Sequence, residues 1–271
     1  MSASAETPRP PEPADPSPPE SVLSLRLADL GPGDPLRWLS RGWADFRRTP
    51  GLGLFYGLCF FLMGHALWWV FRTAPAYVLA LSAGFLLMGP FLCLGLYHAS
   101  RALERGERPD LGASLLAWES TKGSMAIFAG VLLILEMLWG RASLVVFAVS
   151  FNSMPSTERL LAQLLAPENL EFLLTYLAVG GLFAGLIFVT SVIAIPMILD
   201  RRGDAISAGL TSIRACLQNP GVMLWWGTLI TLLVGLALLP WFAGLLVVGP
   251  VIGHASWHAY RQIVPAAGDP T

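Results

Sequence analysis

Apolar runs of about twenty residues recur along the chain, separated by short charged stretches. A helix needs ~20 apolar residues to cross the hydrocarbon of a bilayer. The pattern predicts six such spans, at 51–71, 76–98, 124–149, 170–199, 221–239 and 241–262. The first ends in Trp68, Trp69 and Phe71, the kind of aromatic belt found at a membrane interface. Residues 72–75 leave room only for a hairpin, and Pro240 and Trp241 part the last two spans inside an unbroken apolar run.

Ahead of three spans the period becomes helical and two-sided. After Asp34, Leu36, Leu39, Trp43 and Phe46 line one face while Arg37, Arg41, Asp45 and Arg48 line another. After Asp204 the apolar face is Ile206, Leu210, Ile213 and Leu217, and after Asp110 it is Leu111, Leu115 and Trp118. Each Asp stands where a helix N-cap belongs. These are expected to be amphipathic helices on the cytoplasmic interface. Pro50-Gly51 and Pro220-Gly221 break the first and third before a span begins, with Gly123 in that role in the second. The expected fold class is an all-α membrane protein with six transmembrane helices. They form three hairpins, each preceded by a cytoplasmic amphipathic interfacial helix.

Composition agrees with lipid as the outer solvent. Charged residues make up 13% of the chain, about half the share a soluble domain carries, ~25%. Their placement sets an orientation. Fourteen of the seventeen basic residues flank the spans on one side, Arg72 and Arg159 fall on the other, and Arg141 lies within a span. The positive-inside rule puts the fourteen, and both termini, in the cytoplasm. Sixteen Arg against the single Lys122, with abundant Ala, Gly and Pro, fit a GC-rich bacterial genome and hence a bacterial inner membrane. Residues 1–33 are expected to be a disordered tail, since 7–20 hold seven prolines and almost nothing to bury. They lack the basic and apolar regions of a signal peptide. The membrane domain is expected over 34–264, with 265–271 a short cytoplasmic tail.

The ends of the second and sixth spans are related. Residues 83–101 and 243–261 align without gaps with eight of nineteen positions identical, including Gly-Pro and the closing His-Ala-x-Arg. Both run from outside to inside, so the internal repeat is parallel. The Trp-rich opening, Leu-Phe-Tyr-Gly at 54–57, the Gly-Pro second span and the His-Ala-Ser-Trp-His-Ala-Tyr-Arg ending resemble the bacterial integral membrane family called domain of unknown function 2189. The resemblance covers about 34–264 and implies no settled activity. Some members carry the label putative cytochrome c oxidase subunit I-like. Six spans and four His argue against that label here.

Polar residues within spans are the candidates for chemistry. Glu136 sits near the middle of the third span, where an ionisable group costs at least ~2.5 kcal/mol and so needs a partner or a cavity. Arg141 is about one and a half turns further out and rotated about 140° from Glu136, so the two cannot pair ideally along one face, while His65 lies at a compatible depth. The three could form a proton or ion relay or a substrate site; the alternative is a structural polar clamp between hairpins, with Glu136 protonated and Arg141 snorkelling to the outer interface. His98, His254 and His258 fall at cytoplasmic helix ends, the last two on one helical face. Three imidazoles could take a metal or haem, or simply anchor helix ends. Pro90, Pro196 and Pro250 should kink their spans, and Gly53/Gly57, Gly181/Gly185 and Gly249/Gly253 read as close-packing faces. Cys59, Cys93 and Cys216 have no spacing that suggests a disulfide or a zinc site. Residues 51–57 miss the dinucleotide spacing, and no Walker, HExxH or GxSxG sequence occurs.

The expectation is a polytopic inner-membrane protein without a catalytic set, serving as an accessory, assembly or scaffold component. A small-solute or proton-coupled transporter using Glu136 is the alternative, and a haem or metal protein is a third. No cofactor is predicted. The partners expected are the bilayer, anionic lipid heads at the cytoplasmic face and another membrane protein, not nucleic acid.

Overall fold

A computed structural model describes residues 25–73, 78–150 and 166–265, without the side chains of 78–87. Residues 1–24 of the tail expected over 1–33, residues 74–75 of the turn expected over 72–75, Arg159 and the end from 266 lie outside the described residues. Every regular element described is helical: α1 Asp34–Arg48, α2 Pro50–Thr73, α3 Val78–Glu104, α4 Leu111–Leu115, α5 Lys122–Ser150, α6 Leu170–Ser191, α7 Ala194–Arg201, α8 Ala205–Gln218, α9 Pro220–Leu238 and α10 Leu245–Ile263. Four helical stretches, Pro50–Thr73, Leu111–Ser150, Pro167–Arg201 and Pro220–Leu238, are long and apolar enough to cross a membrane.

α10 is the hub, touching α1, α2, α3, α7 and α9. Every residue from Gly253 to Tyr260 in it is buried, so its His-rich half needs no lipid-facing apolar surface. Small residues let the neighbours approach. A Cβ on Gly42 of α1 would lie 2.6 Å from the Val251 carbonyl oxygen, and one on Gly249 would lie 2.7 Å from the Phe60 ring. Gly57 of α2 lies against the Leu246 carbonyl. Pro250 has no N–H to offer that carbonyl, four residues behind it. Gly53 and Gly253 meet Phe46 and Leu96. The third glycine pair behaves differently: Gly181 and Gly185 have open space where a Cβ would stand.

The interfacial helices have three sides rather than two. On α1 the buried residues are Asp34, Pro35, Trp38, Gly42, Asp45 and Phe46, while Leu36 and Trp43 of the expected apolar face are 55% and 44% exposed. On α8 the small residues Ala205, Ala208, Thr211, Ser212, Ala215 and Cys216 are buried, and Ile206, Leu210 and Leu217 point outward. At about 100° per residue, both helices present a protein side, a large apolar side and a polar side in the same rotational order. Thr49 (φ −130°, ψ 53°) and Asn219 (φ −125°, ψ 54°) turn the chain alike before Pro50-Gly51 and Pro220-Gly221.

Several boundaries differ from expectation. Asp110 and Asp204 do cap, accepting from the Ala113 and Ser207 amides at 2.8 Å. Asp34 instead lies inside α1, which starts from Gly33, and its buried carboxylate accepts from the Gly31 amide at 2.7 Å and from Arg37. Gly123 does not break the chain; α5 runs through it, and the break falls at 116–118. The expected 170–199 helix divides after Ser191, ahead of Pro196. There the Ser212 hydroxyl enters the ladder, accepting from the Ile193 amide at 3.2 Å and donating to the Val189 carbonyl at 2.7 Å. Pro90 and Pro250 stay inside continuous helices. The last helix starts at Leu245, because Trp241 and Phe242 take left-handed φ values of 53° and 65° and make a longer turn than Pro240 alone would.

The expected tail also ends before residue 33. Ala28 donates to the Ile263 carbonyl at 3.0 Å, and Leu30 donates to the Asn219 side chain at 3.0 Å. That same side chain donates to the Ala28 carbonyl at 3.2 Å. Leu25, Leu27 and Leu30 pack on the core. Asn219 acts here as a strand edge would, offering both a donor and an acceptor to a passing backbone.

Candidate functional site

Two polar regions are present. The first is a network at the end of the molecule where α1 meets α10. Trp38 and Gly42 bring α1 close, which turns Asp45 inward although its neighbours Arg41 and Arg48 point out. The Asp45 Oδ2 accepts from the Ser100 hydroxyl at 2.8 Å and contacts His258 Nε2 at 2.8 Å. Ser100 also lies 2.7 Å from His254 Nδ1. The chain of contacts continues outward, from His258 Nδ1 to Glu104 at 3.9 Å and from Arg261 to Glu104 at 3.3 Å. Asp200 then receives Arg101 at 3.5 Å, Arg261 at 3.7 Å and the Tyr260 hydroxyl at 2.8 Å. Arg101 and Arg261 are the closing arginines of the two aligned segments, and they converge on one carboxylate.

Burial by itself would raise the Asp45 pKa, but the hydrogen bond and charge of His258 outweigh it, helped by Ser100 and His254. The carboxyl is therefore held below its ordinary value. Ser100 and His254 have no exposure at all. Shared between Asp45 and His254, the Ser100 hydroxyl ties α1, α3 and α10 together. His254 Nε2 and the indole N–H groups of Trp226 and Trp257 are buried without hydrogen-bond partners. At the network's outer edge, Arg37, Arg41, Glu104, His258, Arg261 and Gln262 border a surface hollow of about 330 Å³.

The expected cluster of three histidines is thus two residues joined through Ser100 and Asp45. His98 stands apart, its Nδ1 buried and unpartnered, beside a hollow with Arg101, Arg105 and Glu107. Among the described residues no three His, Cys, Asp or Glu side chains converge as metal ligands would.

The second region surrounds Glu136. It lies halfway along α5, about 21 Å from either end at 1.5 Å per residue, and is 7% exposed. Its Oε1 has no hydrogen-bond partner. It borders a cleft of about 770 Å³ between α5, α6 and α9. No hydrogen bond or ion pair among the described residues joins it to Arg141 or His65. Arg141 is exposed. His65 sits in α2 with Nδ1 3.2 Å from the Phe61 carbonyl and its ring against Phe61 and Phe242.

Sequence reasoning missed Asp45, Ser100, Glu104 and Asp200. Asp45 was read with the charged face of α1, and its place at that face's edge, nearest Trp38 and Gly42, was the one available signal. Asp200 carried none, because its arginines come from helices remote in sequence.

No curated protein and no solved structure matches the chain. One family model does, over a shorter stretch than the resemblance suggested, from the start of α3 to Asp200 in α7. That stretch holds Ser100, Glu104, Glu136 and Asp200, while Asp45, His254 and His258 lie outside it. Residues 78–200 match the family described as Predicted integral membrane protein (DUF2189), a family of unknown function, and the chain is an integral membrane protein.

Proposed function

We propose that the chain is a six-span protein of the bacterial inner membrane with both ends in the cytoplasm, acting as a non-enzymatic accessory, assembly or scaffold component. The observation that carries this reading is the network from His254 to Asp200. Its carboxylates, imidazoles and guanidiniums are spent on each other across α1, α3, α7 and α10, which fixes a frame and leaves large apolar side chains turned outward. Leu62, Ile134, Val145, Leu177 and Leu224 are among those more than half exposed, as lipid or a partner helix requires. The three-sided α1 and α8 support an in-plane placement, with Leu36, Trp43 and Ile206 toward acyl chains. The exposed Arg41, Arg47 and Arg48 would then meet anionic lipid heads. The matching turns at Thr49 and Asn219 support the parallel repeat. Purification of the full chain in mild detergent, with mass spectrometry of co-eluting proteins, tests the role. A stoichiometric membrane partner recurring across preparations is expected; a reproducibly partner-free monomer overturns it.

A second reading, passage of a small solute or proton by way of Glu136, is favoured by the unpartnered carboxylate at the cleft. Glu136→Gln should then abolish a growth or uptake phenotype at unchanged protein level. A Gln variant behaving as wild type rules that reading out.

A further inference from the structure

The cleft between α5, α6 and α9 is large enough for a small organic molecule, at about 770 Å³, within the ~300–1,000 Å³ range of ligand sites. Its walls are almost wholly apolar. Trp139, Phe183 and Phe188 supply ring surface, and Gly181 and Gly185 leave the α6 wall open. The hydroxyls along it are already committed to their own helices. Ser191 donates to the Ile187 carbonyl at 2.6 Å, Thr228 to Leu224 at 2.8 Å and Thr231 to Gly227 at 2.9 Å. Glu136 is the one ionisable side chain among the lining residues, and no basic group lines the cleft with it. It is more than nine-tenths buried, with Oε1 unpartnered. A carboxylate at mid-membrane depth is costly without a counter-charge, and none of the described residues lining the cleft supplies one.

We propose that this cleft binds a lipophilic organic cation, a protonated amine or quaternary onium on an apolar body, with its positive centre at Glu136 and its body against Trp139, Phe183 and Phe188. The charge supplies what Glu136 lacks, and the aromatic faces add cation–π attraction. The apolar remainder replaces lipid along the glycine wall, and the ligand arrives from the membrane phase. The inference deepens the second reading above, resting on its use of Glu136 but requiring binding only.

The test is equilibrium binding of rhodamine 6G, a lipophilic cation, to the purified full chain in detergent, followed by fluorescence polarisation. Saturable binding is expected, competed by tetraphenylphosphonium but not by the neutral dye Nile red. Glu136→Gln should weaken it about tenfold or more, and Glu136→Asp should weaken it less. Gly181→Leu fills the cleft without touching the carboxylate and should weaken it as strongly. Non-saturable binding overturns the proposal, as does equal competition by Nile red or wild-type affinity in either Glu136→Gln or Gly181→Leu. Absence of dye counterflow in vesicles holding a chain that binds the dye removes the transport reading alone.

Discussion

A methyl group at Gly57 would collide with the Leu246 carbonyl, a backbone atom of the central helix α10. Nothing flexible lies between them to give way. Gly57→Ala is therefore expected to cost about 1–3 kcal/mol as overpacking, seen as a lower thermal midpoint in detergent. Gly181→Ala, with open space at the same position, should leave the midpoint nearly unchanged. Both glycines looked equivalent as members of small-residue pairs; only the position of Pro250, which frees the Leu246 carbonyl, separates them. At Asp45 the expected effect is on pH. Its folded pKa lies below the ordinary carboxylate value because the His258 hydrogen bond and charge overcome burial. The stability it contributes is full above about pH 4 and fades as pH falls through the lower folded value. Thermal midpoints should thus fall on acidification in the native chain and fall less in Asp45→Asn, which should be less stable near neutrality. Equal acid sensitivity of the two would remove Asp45 from the account.

Helix positions were legible from period and punctuation, because Asp caps and Pro-Gly pairs act locally. The buried faces were not. In water the large apolar side of an amphipathic helix turns inward, but next to lipid it has two suitable destinations. On α8 it turned outward, and on α1 Leu36 and Trp43 did so while Phe46 went inward; close approach to the protein was left to Gly42, Ala208 and Ala215. The division of the expected 170–199 helix shows the same limit. Pro196 marked a disturbance, yet the group that repairs it, Ser212, comes from α8. Its hydroxyl serves both the Ile193 amide and the Val189 carbonyl, so Ser212→Ala leaves two buried backbone groups unpaired. The expected loss is about 1–3 kcal/mol, with faster hydrogen exchange at the Ile193 amide. Unchanged exchange there would mean that the break holds itself together.

For the whole molecule, hydropathy reveals a helix only where lipid touches it. α10 is enclosed over most of its length, and its His, Ser, Trp and Tyr lower the hydropathy that would mark a span, although α1, α2, α3, α7 and α9 all pack on it. The aligned segments relate α10 to α3 in sequence. The six-span reading rests on the apolar runs, those at 76–98 and 241–262 included, and α3 is the place to challenge it. Arg105 follows α3 and Thr73 ends α2, so crossing by α3 puts them on opposite sides. In a chain freed of Cys59, Cys93 and Cys216, an impermeant maleimide should label Thr73→Cys in intact cells. It should label Arg105→Cys and Arg202→Cys only after the membrane is opened. The reverse pattern would invert the orientation while keeping the spans. Labelling of Thr73→Cys and Arg105→Cys from the same side would show that α3 does not cross. The parallel repeat would fall with it, because two related segments cannot share a direction if one of them never traverses the bilayer.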